Sequence, residues 1–419
     1  MSTHVIRLSL FAMLLLCAEH SSAQTTRSRQ DFIDAALNNS AALRAASARV
    51  RSAEASRRRA SAWEAPTVAF EFYATPVTSL NPLRDGLEND YSIQQMIMFP
   101  GKIGRMEDMA DAGIRMRREN VETAKRAIIA EVKSAYAMLT AARNRRNVNR
   151  DNITLLEQIA TSSEAAYAVG RGGNADIQRL RSELGLLRNE GDAILAEEQR
   201  ALAMLAALTG EAVHRVIGET EVIALSPLRW NADSLADAAV TARPDLRAMR
   251  QDIEMQDARA RLARRQWLPD LMVRAMYKEM TMGMPDHWSL MFGVSVPIAP
   301  WSSGGYAGAV EEAEADARAA QEQLEDMRRM AEYEVRDAWA VANGLWERLT
   351  RFRESIIPHA EQALQAAMTS YATGGGDFAT LLDAARMLAM FRMDAEMLEG
   401  DYHVALARLE RAVGTDLGI

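Results

Sequence analysis

The chain repeats itself, and this duplication restricts the available folds more than any other feature. Asn39 to Tyr73 compares with Ala242 to Tyr277, pairing Leu43 with Leu246 and Pro66 with Pro269. Further on, Pro100 pairs with Pro300, Tyr167 with Tyr371 and Gly170 with Gly374, so the offset stays between 200 and 204. Two alanine-rich helices could share one such match by chance, but not the whole series in order. Each half reads as a helix, two short strands, then two long helices joined at a glycine-rich turn.

Proline marks the boundaries of the helical regions. None occurs between Pro100 and Pro227, and only Pro358 interrupts the stretch after Pro300, so these stretches read as long helices. Gly101 to Val169 is sufficient for one helix of about 100 Å at the α-helical rise. Along it Ile128, Val132, Ala135 and Leu139, then Leu155, Ile159 and Ala166, recur at the spacings of coiled-coil packing. Pro358 predicts a bend or a junction in the second long helix.

The strand segments alternate with the other period. Val68, Phe70 and Phe72 fall on one face and Ala69, Glu71 and Tyr73 on the other, and Tyr91 to Phe99 follows a loop containing Asn81, Pro82, Asp85 and Gly86. In the second half Leu271, Val273, Ala275 and Tyr277 alternate with Met272, Arg274, Met276 and Lys278. Trp288, Leu290, Phe292, Val294 and Val296 alternate with Ser289, Met291, Gly293 and Ser295. About nine residues is the length of a membrane-crossing β-strand. Four strands of a soluble sheet would alternate alike; the exported context and the helix length argue against that reading. Four strands cannot close a barrel, and a cyclic oligomer supplies more: three copies give twelve.

The domain reading is a signal peptide at 1–23, a first repeat at 24–220 and a second at 221–419. The first carries strands at about 67–74 and 91–99 and a helical hairpin at about 101–210; the second, strands at about 270–278 and 288–297 and a hairpin at about 302–413. Export rests on Arg7, the apolar run Leu8 to Cys17 and the small residues Ser21-Ser22-Ala23. Cys17 is the one cysteine in the chain, so removal of the leader removes thiol chemistry. A net charge of −8 gives no support to nucleic-acid binding. After cleavage His214, His287, His359 and His403 remain, with no HExxH, GxSxG or phosphate-binding loop, so no enzyme and no cofactor is expected. The alternative class is a secreted or periplasmic coiled-coil scaffold without a pore, which would not need the alternating strands.

With these elements in place, the sequence resembles the TolC-like family of outer-membrane efflux channels. The resemblance rests on the duplicated element order, on Phe99-Pro100-Gly101-Lys102 at the first strand-to-helix junction, and on the turns Tyr-Ala-Val-Gly and Tyr-Ala-Thr-Gly beginning at Tyr167 and Tyr371. Met284-Pro285-Asp286 followed by Trp288, with Pro297-Ile298, is similar to the heavy-metal efflux branch. The resemblance implies a mainly α fold with a small β portion, and a homotrimer sharing one twelve-stranded barrel in outer-membrane lipid. It further implies a coiled-coil-like helical barrel in the periplasm, a periplasmic adaptor (membrane fusion) protein and an inner-membrane pump.

Residue by residue, it implies an adaptor-docking tip at Gly170, Gly172, Gly173, Gly374, Gly375 and Gly376, all able to take the positive φ of a tight turn. Asp383 matches a carboxylate ring at a periplasmic gate, and Asp176 and Tyr371 match residues that tether neighbouring helices there. The family's second ring aspartate is Thr380 here, and a basic tether partner is Gly376. Independently of the resemblance, Met280, Met282, Met284 and His287 carry the thioether and imidazole groups that suit Cu(I) or Ag(I).

Overall fold

The computed structural model describes residues 27–168, 173–213, 220–281 and 283–418. The leader at 1–23, Gly170, Gly172, His214 and Met282 lie outside the described residues. The fold is mainly helical with one small sheet. The first half comprises α1 (Arg29–Asn39), α2 (Ala41–Ala60), β1 (Thr67–Tyr73), the single turn α3 (Pro82–Asp85), β2 (Glu88–Ile97), α4 (Lys102–Ala168) and α5 (Asn174–Thr209). The second comprises α6 (Ala232–Ala242), α7 (Pro244–Arg265), β3 (Leu271–Met280), β4 (His287–Val294), α8 (Ser303–Arg351), α9 (Ile357–Thr373) and α10 (Phe378–Val413). Helix α4 alone has 67 residues. Among the described residues no helix is long and apolar enough to cross a membrane.

Two compact units form, each drawing on both halves of the sequence. The first contains residues up to 43, 124–242 and from 331 onward. Its packing follows the heptad-like stripe: Ile128, Val132, Ala135 and Leu139 of α4 are buried against Phe32 and Ile33 of α1 and Leu202 and Leu205 of α5. A second cluster joins Leu156 and Ile159 of α4, Leu180 of α5, Leu364 of α9 and Leu388 of α10. Small residues let these backbones approach closely: a Cβ on Gly400 of α10 would stand 2.4 Å from that of Ala141.

Two buried tyrosines anchor the connection between the halves. The Tyr136 hydroxyl accepts a hydrogen bond from Glu221 N–H at 2.7 Å, and Tyr402 donates to the Ser226 carbonyl at 2.7 Å. Burial pushes the Tyr402 hydroxyl up to about 12, so it remains a donor. Pro358 sits in the first turn of α9, directly after a π-helical segment, Phe352–Ile356. A proline there would clash with the carbonyl four residues back and supplies no N–H. The wider turn absorbs both defects, since Ile357 N–H reaches the Phe352 carbonyl instead.

The second unit, residues 44–123 and 243–330, holds the sheet. Its four strands form an antiparallel meander, β1-β2-β3-β4, in which the central pair joins the two halves of the sequence. Asp270 laces the sheet to α4. Its carboxylate accepts from Phe99 N–H at 2.8 Å and from the Lys102 ammonium at 2.9 Å through both oxygens. Its N–H donates to Ser295 Oγ at 2.7 Å. Gly101, at φ +89°, makes the turn that brings Lys102 to it, and the Lys102 side chain is only 8% exposed.

The lace predicts a specific loss. Asp270→Ala leaves a buried ammonium uncompensated, at a cost of about 3 kcal/mol. Pairing it with Lys102→Met should restore a substantial part, as read by the thermal unfolding midpoint. Equal midpoints for Asp270→Ala and the parent would refute the lace.

A pH dependence follows from His403. Burial, then the neighbouring Arg29 and Arg353, lower its pKa from 6.5 to about 4, while Glu399 approaches only to 4.0 Å. The folded state therefore keeps the imidazole neutral where the unfolded chain protonates it. Stability is lost as pH falls from about 6.5 to about 4, on the order of 2 to 3 kcal/mol in full. Burial pushes the carboxyls of Glu396 and Glu410 upward, which gives the opposite slope, so the check is the difference between wild type and His403→Phe. That difference should shrink on acidification; a constant one excludes His403 as the titrating group.

Candidate functional site

The register of the sheet separates its side chains into two chemically different faces. One aromatic row crosses all four strands: Phe70 pairs with Tyr91, Tyr91 with Tyr277 and Tyr277 with Trp288. Adjacent rings meet, Phe70 with Tyr91 edge-on at 5.7 Å and Tyr91 with Tyr277 at 6.3 Å. A second row on this face is Val68, Ile93, Ala275 and Leu290. These side chains are not core: Phe70 is 62% exposed, Trp288 76% and Phe292 71%. A contiguous apolar face of this kind is rarely left to water.

The opposite face is polar. Glu71, Asp90, Lys278 and His287 form one row across it, and Thr67, Gln94, Arg274 and Met291 another. The Lys278 ammonium lies between the carboxylates of Glu88 and Asp90, the latter at 3.2 Å. The outward edges of β1 and β4 have no strand partner among the described residues. The chain thus presents a sheet with a mainly apolar face, interrupted by Gln95 and, at one end, by Asn89 and Glu279, a more polar face, and two edges ready to pair.

Of the candidate metal group, Met280 and His287 are on β3 and β4 and Met284 is in the loop between them. Met280 ends β3, its N–H donating to Asp286 at 3.0 Å; Met284 is exposed, and His287 stands opposite Lys278. That ammonium is an unfavourable neighbour for a cation. Among the described residues no group of His, Cys, Asp and Glu could hold a metal ion.

At the glycine-rich turns, the candidate gate residues have separate local roles. Asp176 accepts from Gly173 N–H at 3.2 Å and so caps its own helix, α5. Tyr371 packs its ring edge-on against Phe378 at 5.9 Å. Asp383 is exposed on α10, with no ion pair among the described residues. No hydrogen bond joins these three in the described residues.

The glycines also differ in role. Gly374 takes positive φ, +80°, as the cap of α9, whereas Gly375 and Gly376 do not and Gly173 sits at φ −101°. Gly376 is needed for close approach instead, since a Cβ there would meet Ser370 Oγ at 2.8 Å.

Two contributors at these turns were missed in the sequence. Asp377 accepts from Thr380 N–H at 2.8 Å and caps α10; hydrogen bonds from the Thr380 side chain and N–H hold its carboxyl below the usual range. An Asp three residues ahead of Thr380, before an apolar run, was the available signal. Arg386, one turn from Asp383, pairs with Glu183 of α5 at 3.1 Å. No sequence spacing announces that contact.

Comparison with known proteins agrees with this layout. The family model for outer membrane efflux protein matches twice, at residues 32–211 and 235–415. The nickel and cobalt resistance protein CnrC of Cupriavidus metallidurans is 25% identical over 293 residues, 68% of this chain and 66% of that protein. Outer membrane protein OprJ of Pseudomonas aeruginosa is 24% identical over 329 residues, 74% of this chain and 67% of that protein. The solved outer-membrane channel OprN superposes with a TM-score of 0.78 at 20% identity, covering 93% of this chain and 90% of that one. With both halves matched by the family model, the chain belongs to the outer membrane efflux protein family.

Proposed function

We propose that the protein is the passive exit duct of a tripartite efflux system, carrying small molecules or heavy-metal ions across the periplasm and outer membrane. The observation that carries this reading is the open sheet with one exposed apolar face. Lipid is the medium that covers such a face, provided the edge donors and acceptors are paired. Three copies, each joining its β4 edge to the β1 edge of the next, would close a twelve-stranded barrel with the row containing Lys278 turned inward. The long helices would then stand in the periplasm.

In this reading the turns at Gly173 and at Gly374 to Gly376, with Gly170 and Gly172, form the tip on which a periplasmic adaptor docks, and an inner-membrane pump supplies the energy. Three Asp383 carboxylates around the axis would attract cations and narrow the entrance. Asp176 and Tyr371 would meet a neighbouring copy there, their contacts within one chain being local ones. The duct carries no catalysis and no cofactor. The name of CnrC, a nickel and cobalt resistance protein, supports metal ions as one class of cargo. The 48% hydrophobic chain could also serve as a secreted coiled-coil scaffold, but a scaffold leaves the exposed aromatic row without a use.

The first test is the mass and cell fraction of the full-length product, sized by light scattering with the detergent contribution subtracted. A heat-sensitive trimer in the outer-membrane fraction is expected; a water-soluble monomer or dimer in the periplasm would overturn the duct. For the gate, Asp383→Ala should raise single-channel conductance and weaken block by multivalent cations, and no change in either measurement removes the assignment.

A further inference from the structure

In the second unit, helices α2, α4 and α7 enclose a cleft of about 600 Å³, a size typical of small-molecule sites. Its floor is made of thioethers: Met106, Met109 and Met116 of α4 and Met255 of α7 line it. Gly113, between Met109 and Met116, gives the sulfur its room, since a Cβ there would stand 3.3 Å from Met255 Sδ. Four unbranched, polarizable side chains make an adaptable apolar surface.

The charge around this floor has one sign. Arg59 of α2, Arg117 of α4 and Arg259 of α7 line the cleft, and no carboxylate does among the described residues. Arg259 is committed to Glu312 and Asp316, both at 2.8 Å. The guanidinium groups of Arg59 and Arg117 have no such partner among the described residues. Their sequence neighbours do: Arg57 binds Asp111 at 2.6 Å and Arg118 binds Glu54 at 3.0 Å. Of the three arginines that line the cleft, Arg59 and Arg117 are the two without an ion pair among the described residues.

Two ligand classes compete for such a site. Thioethers suit soft monovalent metal ions, yet they bring no negative charge, and the surrounding guanidinium groups repel a cation. An anion with an apolar body meets both halves of the lining, its head forked by arginine and its body laid on methionine. We propose that this cleft binds an amphiphilic organic anion, a carboxylate, sulfate or phosphate head held by Arg59 and Arg117 and an apolar chain seated on Met106, Met109, Met116 and Met255. The site stands on the second unit alone and does not require the duct.

The test uses the full-length protein in nanodiscs of zwitterionic lipid, titrated with dansylaminoundecanoate and, separately, its methyl ester. Saturable fluorescence enhancement at one acid per protomer is expected, with affinity falling about tenfold or more in the Arg59→Gln, Arg117→Gln double variant. The ester should bind both proteins equally weakly. Quenching of the bound probe by spin-labelled lipid tails would assign the natural ligand to the membrane, and quenching by aqueous iodide to the water-filled side. Equal affinity of both proteins for the acid, equal binding of acid and ester to wild type, or no saturation overturns the site. Sizing and channel conductance of the same samples report separately on the duct, so either reading can fail while the other stands.

Discussion

A sheet of four strands has two edges, and in a medium without water each unpaired backbone group there costs several kcal/mol. The apolar row from Phe70 to Trp288 invites such a medium, while the bare edges of β1 and β4 forbid a lone chain from entering it. In the proposed duct, association is therefore a condition of insertion rather than a later refinement. The junctions serve the same demand. In the proposed trimer the edges would meet in register only if each sheet is fixed to its helix, and Asp270 ties the two together by holding Phe99, Lys102 and Ser295 at once.

Duplication made the two halves alike in plan but not in local chemistry. The turn into α5 is capped by Asp176 from inside the helix, whereas the turn into α10 is capped by Asp377 from in front of it. The second long helical run contains Pro358 and the π segment that accommodates it, and α4 runs without either. A shared backbone plan can thus be met by different hydrogen-bond solutions at matching positions. If the halves surround one axis as proposed, these differences alternate around it, and adaptor contacts at the two turns need not be equivalent.

Much of the fold was legible because its determinants are periodic. The absence of proline after Pro100 and the stripe from Ile128 to Leu139 announced α4, and strict alternation announced β3 and β4. The start of β2 was not legible. Glu88, Asn89 and Asp90 are poor strand formers, and they extend the strand because Lys278 neutralises two of them and Asn89 donates to the Leu83 carbonyl at 3.0 Å. The buried pair Lys133 and Glu410, 2.5 Å apart, joins α4 to α10 across most of the chain, and nothing in either neighbourhood names the other. The proposed gate has no signal in the sequence beyond the resemblance, because Asp383 on one chain is a solvated carboxylate; a ring around an axis could exist only between copies.

Methionine shows the same limit from the other side. Met280, Met282 and Met284 stand out because they are close in sequence, yet of the two described ones Met280 ends β3 and Met284 lies exposed in the loop after it. Met106, Met109, Met116 and Met255 attract no notice in the sequence, yet helix periodicity and one helix contact gather them around a single cleft. Sequence density is a poor guide to a site when the side chains concerned are also good helix formers and core fillers. What distinguishes the cleft from ordinary packing is the charge beside it. A buried core would exclude Arg59 and Arg117 or pair them with carboxylates, as Arg57 and Arg118 are paired. Two cations beside a methionine-lined cleft make a lining whose complement is an anion with a hydrophobic tail.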